Sequence, residues 1–216
     1  MQPAVKTKEP QQSRRDEILE AAEAVFAEAG YDRARLEDVA QRVGIRRASL
    51  LYHFRDKASL YVAVLDSMLK DLESRYRRVL GEDGSPGARL ERTVDEWLDF
   101  VAERPALVRL MLRELADGVN DHSRPFAERA MSVISALDDV ITAGQAEHAL
   151  RQTNGLHVMM IIGGASTFLL LGGSLINASA TERFPPIVDR AQHRELLIAI
   201  FRKFLGTHGP RSITDD

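Results

Sequence analysis

The stretch LEDVAQRVGIRRASLLYHF, Leu36–Phe54, decides the fold. Leu36, Val39, Ala40 and Val43 recur at three- and four-residue steps, the spacing of one helical face. Gly44 then offers the left-handed backbone that closes a helix. A second short helix follows from Arg47 to Phe54, with Val39, Ile45 and Leu50 apolar where the pair must seat on a neighbour. Ala40 is small where the two helices would cross. The second helix is too short to be stable in isolation, so tertiary packing must hold it. The pattern predicts a helix–turn–helix.

Charge sharpens that reading. The 216-residue chain carries a net charge of −3, which argues against a nonspecific nucleic-acid coat. Its distribution is uneven. Asp16, Glu17, Glu20, Glu23, Glu28 and Asp32 fall in a stretch without a base, whereas Gly44–Leu60 holds Arg46, Arg47, Arg55 and Lys57 against Asp56 alone. Arg47, Ala48, Ser49, Tyr52 and His53 would face outward from the second helix. Long donors and short side chains together suit close approach to an anionic groove.

Working outward, the pattern stays helical. Ser13 can cap a first helix whose early acids suit the positive end of its dipole. Ile18, Ala22, Val25, Phe26 and Ala29 form its apolar face, and Gly30 stops it. Asp56 can cap a long helix through Leu60, Val64, Leu65, Met68, Leu72, Tyr76 and Val79. GEDGSPG, Gly81–Gly87, is the candidate domain boundary. Five more apolar-periodic segments follow, one through Leu90, Val94, Trp97 and Val101 and another opening with Leu107, Leu110 and Met111. The third runs from Pro125 to about Ala149, the fourth from Leu156 to Ala178 and the last from about Asp189 to Leu205. The fold class is all-α: an N-terminal three-helix DNA-binding domain and a larger C-terminal helical domain. The expected organisation is an arm over 1–12, a reading domain over 13–57, a connecting helix over 58–80, a body over 81–206 and a tail over 207–216.

At 44% hydrophobic residues the chain can bury a substantial core, and it contains no cysteine. Disulfides and thiolate chemistry are thereby excluded. The polar first dozen residues lack the apolar core of a secretory signal. Both features fit a cytoplasmic protein.

The segment Gly30–Tyr61, GYDRARLEDVAQRVGIRRASLLYHFRDKASLY, resembles the DNA-binding signature of the TetR family of transcriptional regulators. The matching positions are Gly30, Tyr31, Asp38, Val39, Ala40, Gly44, Ile45, Leu50, Tyr52, Phe54, Lys57 and Leu60. Beyond about residue 60 the chain resembles the family only in length and helical character. It departs where the family usually has a small hydroxyl residue: Arg35 precedes the second helix and Arg46 the third. The resemblance implies a sequence-specific regulator of transcription, by family habit a repressor. The last two helices would pair across a two-fold axis as a homodimer, on a palindromic operator in double-stranded DNA.

Reach divides the labour at such an interface. Arg47, near the start of the recognition helix, is placed for a base edge, where an arginine can donate bidentately to guanine. Ser49, Tyr52 and His53 can donate to phosphates. Lys57 starts the long helix, where backbone N–H groups also favour a phosphate. Arg35 and Arg46, with Arg14 or Arg15, would clamp the backbone.

A regulator of this kind also senses a small molecule. Trp97, Phe100, Met111, Met131, Met160 and Phe168 are candidates to line an apolar cavity, with Glu114 or His157 as polar anchors, although ordinary core accounts for each of them too. No cofactor is expected.

Two other readings compete. No charge occurs between Arg151 and Glu182, and His157–Ala178 is long enough to cross a bilayer, so a membrane-anchored helical regulator is one alternative. Four glycines, scattered polar residues, arginines flanking both ends and no later Trp or Tyr suit a buried helix better. A helical enzyme is the other. No phosphate loop, nucleophile elbow or metalloprotease motif is present. His53, His122, His148, His157, His193 and His208 lack metal-ligand spacing. The expectation is therefore no catalytic residue, no metal and no membrane.

Overall fold

The computed structural model describes residues 10–118, 124–178 and 190–206. Among these residues there are nine helices and no strand, with one isolated bridge joining Leu150 to Gly206. They are α1 (Pro10–Arg33), α2 (Leu36–Val43), α3 (Arg47–His53), α4 (Lys57–Leu80), α5 (Pro86–Glu103), α6 (Pro105–Asp117), α7 (Arg124–Ala146), α8 (Gly155–Ala178) and α9 (Arg190–Leu205). Parts of the expected arm, body and tail, over 1–9, 119–123, 179–189 (with the expected start of the last helix at Asp189) and 207–216, lie outside the described residues.

The chain divides into two compact units. The first comprises residues 1–70 and 104–129, the second 71–103 and 130–216.

In the first unit, α1 buries Ile18, Ala22, Val25 and Phe26, as its spacing demands. It begins at Pro10, so Ser13 lies inside the helix and is not its cap. Gly30 (φ 76°, ψ 169°) breaks the helical path, and a further turn runs on to Arg33. That break admits a neighbour: a side chain at position 30 would lie 2.7 Å from the Arg113 guanidinium of α6. Arg104, before α6, is paired with the largely buried Glu23 of α1. Phe26, Tyr31 and Tyr61 pack ring against ring, Phe26 and Tyr61 edge-on at 4.8 Å. Beside them the Tyr61 hydroxyl donates to the buried Glu114 carboxylate.

In the second unit, α5 buries Leu90, Val94, Trp97, Phe100 and Val101. It is stapled to α9 by two bidentate ion pairs, Arg194 on Asp95 (2.5 and 2.8 Å) and Arg202 on Glu91 (2.9 and 2.8 Å). Val158, Ile162 and Ser166, four residues apart, are the buried face of α8. Among the described residues no helix is long and apolar enough to cross a membrane.

Candidate nucleic-acid interface

The interface is built around the turn between α2 and α3. Gly44 adopts φ 72°, ψ 31°, the left-handed conformation its position in the sequence requires. Its N–H reaches Gln41 O at 3.1 Å, and the Ile45 N–H reaches Ala40 O at 2.9 Å. These two bonds form the Schellman closure that stops α2 and redirects the chain. Arg35 and Arg46 precede α2 and α3 with extended backbones and no side-chain cap, as the missing hydroxyls imply.

α3 is held by one deeply seated residue. Leu50 is fully buried, and Phe54 just beyond the helix is buried beneath the Arg15 guanidinium, 4.7 Å from its ring centroid. The rest of the helix faces out, His53 only in part. Arg47, Ala48, Ser49, Leu51 and Tyr52 are exposed, Tyr52 to 76%, with its ring edge-on to the half-buried His53 at 5.4 Å. Arg46 is exposed at the mouth of the turn.

The cations are not all equally available. Arg47 Nε lies 3.2 Å from Glu37 Oε1, and Arg35 Nε lies 3.8 Å from Glu37 Oε2. All three side chains are about half exposed or more, so water screens these pairs and they exchange readily for phosphate or base. Arg55, almost fully exposed, leans on Asp56 at 2.9 Å. An open cleft of about 400 Å³ runs between Arg35, Glu37, Arg47, Arg55 and Lys57.

Lys57 is also engaged within the protein. Its ammonium donates to Asp32 O and Ala34 O, both at 3.1 Å, and sits 4.6 Å from the Tyr31 ring centroid. It clamps the link between α1 and α2 with two of its three donors, which leaves the third for a phosphate. Burial, followed by the charges of Asp56 and Asp32, raises the Tyr31 hydroxyl above its ordinary range. Arg14 is paired with Glu17 at 2.6 Å.

Asp56 does cap α4. Its Oδ1 accepts from the Ser59 N–H at 2.7 Å, while its own N–H donates to Ser59 Oγ at 3.1 Å. The Ser59 backbone bond and then the Arg55 side chain hold its carboxyl below the usual range. Glu37 and the Asp56–Ser59 box complete the interface. The box is legible as D-x-x-S in sequence; nothing in the sequence marks Glu37.

The expected ligand residues are placed as follows. In the first unit, Glu114 is buried and Met111 half-buried; one Glu114 oxygen accepts from Tyr61 and the other has no partner among the described residues. In the second, Trp97 and Phe100 are buried, with ring centroids 6.0 Å apart. Met131, Met160 and Phe168, expected to line a cavity, are instead 58%, 64% and 68% exposed, and His157 is exposed beside them in sequence. An outward helical face carries apolar residues at the same spacing as an inward one, so periodicity alone does not separate the two.

The family profile described as "Bacterial regulatory proteins, tetR family" matches residues 18–64. A second, "Tetracyclin repressor-like, C-terminal domain", matches residues 86–200, more than half of the chain. The chain belongs to the TetR family. This TetR-family protein is 35% identical over 92 residues to the HTH-type transcriptional activator FasR of Mycolicibacterium smegmatis, 43% of this chain and 42% of FasR. It is 30% identical over 128 residues to the HTH-type transcriptional repressor Rv1474c of Mycobacterium tuberculosis, 59% of this chain and 64% of that one. Both matches thus span less than two thirds of the relative's length. In fold, this TetR-family chain is similar to a transcription regulator from Marinobacter aquaeolei VT8, with a TM-score of 0.73 at 15% identity over 92% of this chain and 98% of that one. It is likewise similar to the transcriptional regulator FadR from Bacillus subtilis, solved in complex with stearoyl-CoA, with a TM-score of 0.71 at 16% identity over 89% and 99%.

Proposed function

We propose that this TetR-family chain is a homodimeric, sequence-specific DNA-binding repressor, acting in the cytoplasm and released from a palindromic operator by a small apolar or amphipathic effector. The observation that carries the DNA-binding part is α3 itself. It is a seven-residue helix seated on a single fully buried leucine, with Arg46, Arg47, Ser49 and Tyr52 all turned to solvent. A helix so lightly held and so cationic has little structural purpose except to present its outer face. Arg47 reads a base edge, and Arg35, Arg46, Ser49, Tyr52 and His53 grip phosphates. Lys57 supports the interface from behind.

Dimerisation is supported by apolar surface on the last two described helices. Leu156, Met160 and Phe168 on α8, and Leu196 and Ile200 on α9, are all between 47% and 68% exposed. A Cβ on Gly164, within the α8 stripe, would meet nothing within 4 Å, which leaves room for a second helix to approach. Two copies related by a two-fold axis present two α3 helices to major grooves about 34–36 Å apart. The curated relatives include both an activator and a repressor; repression is the family habit. Effector sensing is proposed for the C-terminal helices, and FadR with its stearoyl-CoA is a precedent for a fold of this kind holding a ligand.

The test is binding to a duplex from upstream of the chain's own gene, across a salt series and against a random duplex. Specific affinity should fall steeply with salt as counterions are released. Arg47→Ala should lose roughly 1–3 kcal/mol of discrimination between the two duplexes while staying folded and dimeric. Equal affinity for both duplexes in the wild-type protein would overturn the proposal.

A further inference from the structure

Arg47 meets a carboxylate before it meets any duplex. Its Nε lies 3.2 Å from Glu37 Oε1, and the other oxygen of the same carboxylate faces Arg35 Nε at 3.8 Å. Arg47 opens α3 and Glu37 is the second residue of α2, so the contact crosses the helix–turn–helix. Both ends stand on seated helices. Leu36, Val39 and Ala40 of α2 and Leu50 of α3 are buried, and the Schellman closure at Gly44 joins the two. The side chains themselves are open to solvent, Glu37 to 48% and Arg47 to 57%, on the wall of the cleft that the cations line.

An exposed ion pair adds almost nothing to stability, so the placing of Glu37 calls for another reason. Acids suit the first turn of a helix. That accounts for Asp38 as well as for Glu37, yet none of the ion pairs among the described residues includes Asp38, which shares the turn. A carboxylate amid cations also weakens their pull on DNA as a whole. General attraction is thus reduced at the residue best placed to read sequence.

The shape of the guanidinium supplies the reason. It is planar, with one N–H on Nε at its side and four more on the two Nη atoms. The Nη pair forms an end that can donate to O6 and N7 of guanine together. Glu37 takes the Nε side. Arg47 therefore need not release the carboxylate to bind a base, and a long side chain with several free torsions is ordered before the duplex arrives. Ordering it in advance removes a cost from binding. Docking also drives water from the cleft, so a pair that is weak in solvent strengthens in the complex.

We infer, resting on the assignment of Arg47 to a base edge above, that Glu37 is a specificity-determining positioning residue. It holds Arg47 by Nε and leaves the Nη pair to guanine, at the expense of attraction to phosphates in general.

The full chain is offered a duplex library randomised at its central positions, and the bound sequences are selected and read. Wild-type protein should enrich a half-site containing a guanine that Arg47→Ala no longer selects. Glu37→Ala is expected to relax that same position and leave the others alone, discrimination of guanine from adenine there falling roughly three- to tenfold. Its affinity for a random duplex should rise, with a steeper salt slope, because a carboxylate has left the cleft. Glu37→Gln, which keeps an oxygen for Nε, should recover part of the discrimination. Asp38→Ala, which removes an acid from the same turn, should keep the guanine preference. In the Arg47→Ala background, Glu37→Ala should lower discrimination no further.

Three results overturn the positioning role. One is an unchanged guanine preference in Glu37→Ala, with affinity for selected and random duplexes rising by one factor, as simple repulsion would give. Another is equal relaxation at every position with a lower Tm, as a merely structural role would give. The third is the same relaxation in Asp38→Ala. A wild-type chain that enriches no sequence, or an Arg47→Ala variant that loses no preference, sinks the base-reading assignment and this inference with it. A half-site enriched by the wild type, lost at one guanine in Arg47→Ala and kept whole in Glu37→Ala, sinks the inference alone.

Discussion

Around α3, polar side chains are used to hold short elements in place: Lys57 on the carbonyls of Asp32 and Ala34, and Asp56 with Ser59 at the start of α4. Deep in the helices of the second unit, Tyr76, Trp97 and Ser166 bury the same kinds of atom with no hydrogen-bond partner among the described residues. The difference follows from helix length. Elements of seven and eight residues cannot stand without tertiary clamps, so every clamp near them has a structural task. The long α5 buries Leu90, Val94, Leu98, Phe100 and Val101 around Trp97, enough apolar surface to tolerate such atoms.

That contrast can be broken at its strongest point first. Leu50→Ala removes the one fully buried anchor of α3 and should cost about 2–5 kcal/mol, read as a lower Tm and loss of duplex binding. A variant that still binds DNA with wild-type affinity would show that α3 does not depend on that seat. A smaller effect is expected at Lys57. Lys57→Met keeps the apolar stem but frees two carbonyls, at a cost of roughly 1–2 kcal/mol. DNA binding should weaken only through that loss, with the salt slope unchanged; a slope shallower by one phosphate would place the third donor of Lys57 on the duplex.

The smallest effect is in acid. Asp56 has a folded-state pKa below its unfolded one, so its stabilising share is complete above the unfolded value near 4 and fades as pH falls through the folded one. Asp66 behaves likewise: burial pushes its carboxyl up, but hydrogen bonds from Lys70 and Arg129 outweigh that. Asp56→Asn keeps a capping oxygen without the charge. Its Tm should trail the wild type near neutral pH, and the gap should close at about pH 3. A gap independent of pH would assign the difference to packing.

Most of the reading head was legible because its signals are local. Gly44 closing α2, the alternation that buries Val39 and Leu50, and the uncapped Arg35 and Arg46 all follow from residues a few positions apart. The anchoring of Lys57 was not, because its partners belong to a chain reversal more than twenty residues earlier, set by the break at Gly30. Met131, Met160 and Phe168 show a second limit: apolar spacing reveals that a face exists, not what it meets. Tyr76 and Ser166 show a third, since lacking a partner is a property of three-dimensional neighbours and leaves no mark on the sequence.

The helix after Pro105 sits in the same compact unit as the reading head, with Arg113 against Gly30, Arg104 on Glu23 and Glu114 beneath Tyr61. A chimera that grafts residues 1–60 onto another body would therefore strand those three positions against foreign side chains. A portable head for synthetic circuits has to be excised as two pieces of chain, with residues 104–118 travelling alongside the first seventy.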